Sequence, residues 1–138
     1  MESTQALSAT ERLAIHELIS LYGHLIDQRQ FSQLNQIFTD DAVFDLSDYD
    51  GSCYHGLPAI QALMLGSREH PLAHHATNVV VQGQKDNITV ISKGVGVGAS
   101  GRVGSVTYRD RLSLTPHGWR IQQRCCALRR PETIPDPC

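Results

Sequence analysis

Two histidines, His74 and His75, stand at the head of a β-branched run, Ala76-Thr77-Asn78-Val79-Val80-Val81. Imidazole is the side chain that gives and takes a proton near neutral pH at its ordinary pKa. Neighbouring residues on a strand face opposite ways, so at most one of the two rings can look into an interior. By that parity His74 shares a face with Ala76 and Asn78, and His75 shares one with Thr77 and Val79. An acid far upstream, Asp27, could complete a proton-transferring pair, and Tyr22 adds a phenolic donor five residues before it. A metal is the competing use of such histidines, with His55 and His70 as further ligands. A catalytic zinc needs three well-placed ligands, and Pro71 prevents a helix from setting His70 and His74 one turn apart. The expectation is no metal.

Other motifs carry less. Gly98-Ala99-Ser100-Gly101 does not match the G-x-S-x-G of a nucleophile elbow. Gly94, Gly96 and Gly98 alternate, but no helix follows them, so they mark a bend or close contact in a strand rather than a phosphate loop. Tyr108 and Trp119 suit a core or cavity wall. Asp45 and Asp50 suit loop capping, and Arg124 by itself suits an outward-facing cation.

The elements that must position these groups are legible. Ser8-Ala9-Thr10-Glu11 fits a capping box. Leu13, Ile15, Leu18, Ile19, Tyr22, Leu25 and Ile26 then recur at helical spacing, which predicts a helix over about 9–28. Asp27 lies about 140° round that helix from Tyr22, at the border of the apolar stripe. Phe31, Leu34, Ile37 and Phe38 predict a short second helix, stopped by Thr39-Asp40-Asp41. A strand at 42–46, a loop at 47–51 and a short strand at 53–55 follow. Gly56-Leu57-Pro58 opens a third helix with proline in its first turn, with Ile60, Leu63, Met64 and Leu65 inward and Gly66 at its end. Four longer strands come next, at 73–81, 88–97, 105–114 and 119–128. Thr115-Pro116-His117-Gly118 is a tight turn between the last two. Helices first and then an antiparallel meander argue an α+β fold, with helices on one face of a curved sheet. The chain reads as one domain over 1–138, with its core at about 9–128 and an irregular tail at 129–138.

The 138 residues carry a formal net charge of −2 and are 41% hydrophobic, 19% charged. That is ordinary globular composition, with no basic surface for nucleic acid and no apolar run of membrane-spanning length. The N-terminus lacks the basic and apolar regions of a secretory signal. Cys53, Cys125, Cys126 and Cys138 contain no C-x-x-C pair. A reducing, cytoplasmic location is the default expectation.

The chain resembles the SnoaL-like branch of the NTF2-like superfamily, whose domains are α+β cones. The resembling residues are Tyr22-x4-Asp27, Phe31-Ser32-Gln33-Leu34 through Phe44, Gly56-Leu57-Pro58-Ala59-Ile60, His74-His75-Ala76-Thr77-Asn78, Tyr108-Arg109-Asp110-Arg111-Leu112 and Gly118-Trp119-Arg120-Ile121. Within that branch it is most similar to scytalone dehydratase, bile-acid dehydratase and hexachlorocyclohexane dehydrochlorinase. The resemblance implies about three N-terminal helices on a strongly curved sheet that encloses a cavity. It implies a cofactor-independent lyase or isomerase, dehydratase-like, in which Asp27 and His74 remove a proton from carbon and Tyr22 assists. A small cyclic, polyketide-like or steroid-like substrate would contact Tyr108, Trp119, Arg124, Asn78 and Met64. The second active-site histidine of scytalone dehydratase has no counterpart here, because its strand carries Gly94-Val95-Gly96-Val97; the glycines would widen the cavity instead. A homodimer or homotrimer is expected. The alternative is a non-catalytic ligand-binding or dimerisation module on the same fold.

Overall fold

The computed structural model describes residues 6–67 and 70–131. Helix α1 spans Ala9–Asp27 and opens with the expected capping box. The Glu11 N–H donates to the Ser8 hydroxyl at 3.1 Å, and the Ser8 N–H donates to the Glu11 carboxylate at 3.0 Å. Phe31–Gln36 is a 3-10 helix rather than an α-helix, burying Phe31 and Leu34. Strand β1 (Phe38–Leu46) begins earlier than expected. Its first residue already pairs with Ile121, and a register shift before Val43 absorbs the polar Thr39-Asp40-Asp41. The loop at 47–51 is a single helical turn, α2 (Ser47–Asp50), closed by Gly51 at φ 81°. Strand β2 is Ser52–His55 and helix α3 is Leu57–Gly66, with proline in its first turn. Strands β3 (Ala73–Gln84), β4 (Asn87–Val97), β5 (Val103–Thr115) and β6 (Gly118–Leu128) complete the chain.

The six strands form one curled, unclosed sheet in the order β2-β1-β6-β5-β4-β3. All pairings are antiparallel except β1 with β6. Register shifts interrupt β1, β3 and the β5–β6 ladder. Such bulges increase local twist and let a sheet bend. The core fills the concave side, where Ile15, Ile19, Leu34, Ile60, Ile88 and Ile121 are each at most 1% exposed. Leu13 and Leu65 fall at apolar spacing but are 62% and 67% exposed. Periodicity locates a stripe, not its edges.

Helix α1 lies along β3, the edge strand, and is tied to it at both ends. The Arg12 guanidinium donates to the Val81 carbonyl at 3.3 Å near the helix start. The last residue, Asp27, reaches His74 at the other. Among the cysteines, Cys53 and Cys126 are free. Cys125 is disulfide-bonded. Residues 132–138, most of the expected tail, lie outside the described residues. Arg130, inside them, is anchored to Asp48 by its Nη1 at 2.9 Å. No helix among the described residues is long and apolar enough to cross a membrane.

Candidate functional site

Asp27 ends α1, where a negative charge opposes the helix dipole. Two donors from β3 offset that cost. The His74 backbone N–H donates to Oδ2 at 2.9 Å, and His74 Nδ1 lies 2.6 Å from Oδ1. An ionised carboxylate only accepts, so Nδ1 must carry the proton of this bond. In the neutral ring the lone pair is then on Nε2. The side chains are 12% exposed for His74 and 25% for Asp27. His74 lines the main cavity, while Asp27 stands behind it. His75 is exposed on the opposite face.

Gly23 makes this contact possible. It lies one turn before Asp27 on the same side of α1. A Cβ there would stand 2.8 Å from the His74 carbonyl oxygen and 3.4 Å from its Cβ. Alanine for glycine inside a helix ordinarily stabilises by about 1 kcal/mol. Here Gly23→Ala is expected to destabilise the fold by roughly 1–3 kcal/mol, the usual cost of overpacking, and to lengthen the Asp27–His74 bond. A urea melt checks the first outcome. A weakened low-field Nδ1 proton in the NMR spectrum checks the second.

The cavity occupies about 560 Å³ within the cone. Strand register explains its shape. His74 pairs with Gly96, and Gly96 pairs with Gly104. The row beside His74 therefore carries no side chains across β4 and β5. One row on, Ala76, Gly94 and Val106 are aligned. The room that the β4 glycines create is largely taken up. A Cβ at Gly94 would overlap the Tyr108 ring, and one at Gly96 would stand 2.8 Å from Pro71 Cγ. The glycines thus seat two rings against the sheet, rather than simply widening the cavity.

Tyr22 is buried and lines the cavity. Its ring meets His74 edge-on at 6.4 Å between centroids and Tyr108 at 6.1 Å. Burial, and then the neighbouring Tyr108, push the Tyr22 phenol well above its usual range, against the pull of Arg124. Tyr22 therefore remains protonated and can donate a hydrogen bond but not act as a base. Tyr108 is raised too, chiefly by burial. Met64 forms part of the same wall.

Three other sequence candidates lie elsewhere. Arg124 is not an outward cation: it is fully buried beneath the tyrosines and does not line the cavity. Its Nε and Nη2 each donate to Asp110 at 2.8 Å. Its guanidinium carbon lies 3.9 Å from the Tyr108 ring centroid and 4.5 Å from that of Tyr22. Burial disfavours its charge, but the Asp110 carboxylate more than offsets this and holds it cationic. Trp119 packs at a separate hollow with Leu18 and Leu21 of α1. Asn78 is exposed at a kink with φ 55°, where the β3–β4 register shifts. The shared face inferred for His74, Ala76 and Asn78 breaks there, because parity holds only along an uninterrupted strand.

Sequence reasoning missed several wall residues, Tyr49 and His70 among them. Tyr49 of α2 stands on the cavity wall, in a stretch read as a plain loop. His70, considered only as a metal ligand, lines the cavity beside His74. Among the described residues no three His, Cys, Asp or Glu side chains converge as a metal site requires.

A SnoaL-like domain family model matches residues 8–125. An uncharacterised protein of Mycobacterium tuberculosis, Rv2910c, is 33% identical over 125 residues, covering 83% of each chain. Three solved structures from Novosphingobium aromaticivorans share the fold. One, described as a candidate aromatic ring hydroxylase, is 28% identical with a TM-score of 0.69, covering 91% of this chain and 93% of that one. The second, an NTF2-like protein with a cystatin-like fold, is 25% identical with a TM-score of 0.76, covering 89% and 84%. The third, a candidate scytalone dehydratase, is 15% identical with a TM-score of 0.69, covering 88% and 85%. At that identity it speaks to the fold alone. With the curled sheet and its packed helices, these matches establish that the chain belongs to the SnoaL-like family of the NTF2-like superfamily.

Proposed function

We propose that the protein is a cofactor-independent lyase or isomerase that removes a proton from carbon next to a carbonyl. The observation that carries this reading is the 2.6 Å contact between Asp27 and His74 Nδ1, with His74 on the wall of a cavity lined by Tyr22, Tyr49 and Tyr108. Asp27 fixes the tautomer that leaves Nε2 as the base and stabilises the imidazolium formed when it takes the proton, as the carboxylate does in hydrolytic triads. Tyr22 donates to the carbonyl oxygen as charge develops on it. One such donor in a desolvated site is worth about 3 kcal/mol. The proton then returns, either to a departing β-hydroxyl, giving a dehydration, or to another carbon, giving an isomerisation.

Cavity size and lining suit a small cyclic substrate, such as a reduced aromatic, polyketide-like or steroid-like ketone. Incubation with a panel of cyclic ketones in D₂O, followed by proton NMR, tests the reaction class. Enzyme-dependent loss of α-proton signal from at least one ring ketone is the expected result. A panel that exchanges no faster than buffer would reject proton abstraction in favour of a binding module.

A further inference from the structure

His70 enters the same cavity from the segment between α3 and β3. Its ring centroid lies 4.6 Å from that of His74, with the planes 36° apart. The two residues that follow it are held in place. Pro71 sits where a Gly96 side chain would stand, and the Leu72 N–H donates to the Val97 carbonyl at 2.9 Å, extending the β3–β4 ladder. Burial first, then the proximity of His74, push His70 down to about 4. It therefore stays neutral while His74 takes up and gives back a proton. A neutral imidazole offers one N–H donor and one acceptor, and such a ring can polarise a carbonyl without transferring a proton.

We infer that His70 contacts the substrate directly, donating its ring N–H to the oxygen that gains charge as His74 takes the proton. This rests on His74 being the base, as proposed above. In that step the C–H bond breaks and its proton goes to His74 Nε2. The bonding pair moves between the two carbons, and the carbonyl π pair moves onto oxygen. His70 keeps its proton throughout. With Tyr22 it supplies the two donors a carbonyl oxygen can accept. The substrate class is accordingly a ring ketone whose carbonyl and acidic carbon are adjacent, presented to two adjacent imidazoles.

The test uses 2-naphthol, whose hydroxyl on a flat ring resembles the enol. His70→Phe keeps a flat ring against His74 but removes the donor. His70→Asn keeps an N–H near the position of Nδ1 but removes the ring. The dissociation constant is expected to rise roughly tenfold in His70→Phe and no more than about threefold in His70→Asn, the scale of one neutral hydrogen bond. Wild-type affinity in His70→Phe would mean that the ring only packs, and overturns the inference. Imidazole ¹⁵N spectra of the unmodified protein give an arm free of folding effects. Shifts of both the His70 and His74 rings on adding 2-naphthol support the inference. A shift of His74 alone overturns it and leaves the base intact, whereas a shift of neither overturns both readings.

Discussion

Replacing His74 with alanine is expected to lower the proposed enzyme-dependent α-proton exchange by about 10²–10⁴-fold, the usual contribution of a positioned general base. Asp27→Asn is the sharper variant, since it preserves the shape of the side chain. An asparagine presents one acceptor oxygen and one donor nitrogen, whereas the aspartate accepts from both the His74 backbone N–H and Nδ1. If the amide oxygen keeps the backbone bond, its NH₂ faces Nδ1 and favours the Nε2–H tautomer. The lone pair then points away from the cavity, and the base is lost without being removed. Exchange is expected to fall by a similar factor in both variants, with thermal unfolding shifted only slightly. The two losses should not add, since both remove the same function. Undiminished exchange in either variant would reject the mechanism.

The second large effect concerns stability. Arg124 and Asp110 form a bidentate pair whose side chains are both 0% exposed, and the guanidinium is sandwiched near two tyrosine rings. Removing one member of a buried pair leaves the other charge without a partner, at a cost of about 3–5 kcal/mol. That is a large share of the roughly 5–15 kcal/mol that holds a domain of this size together. Arg124→Met should therefore lower the urea midpoint sharply, and so should Asp110→Leu. The double variant is expected to recover most of the loss, because a buried pair exchanged for apolar side chains of similar volume is often neutral. A double variant as unstable as the sum of the single ones would show that the cation's contact with the tyrosines, not the pair, carries the effect.

Local rules made much of the scaffold readable. The Ser8–Glu11 box, the apolar stripe of α1 and the proline opening α3 each act within one or two turns, and each stands where expected. The alternating strands likewise gave the meander. Long-range pairing was not readable in the same way. Asp110 and Arg124 are 14 residues apart, and only the β5–β6 register sets them side by side; from spacing alone the arginine looked solvent-facing. Asn78 misled for the opposite reason, because a single bulge reverses the alternation used to place it. Periodicity put Asp27 at the edge of its stripe, and the resemblance raised it from a border case to the first choice. The reason for its position is tertiary: a glycine one turn earlier brings the helix against the His74 backbone. His70 was discounted because helical spacing to His74 was impossible. The turn through Pro71 brings the rings together without a helix.

The most direct measurement is the imidazole ¹⁵N–¹H correlation spectrum of His74 at neutral pH, in the wild type and in Asp27→Asn. The Asp27 contact predicts a neutral ring protonated on Nδ1, with that proton at low field and Nε2 bare, and a switch of tautomer in the variant. A wild-type His74 protonated on Nε2, or a tautomer indifferent to Asp27, would contradict it.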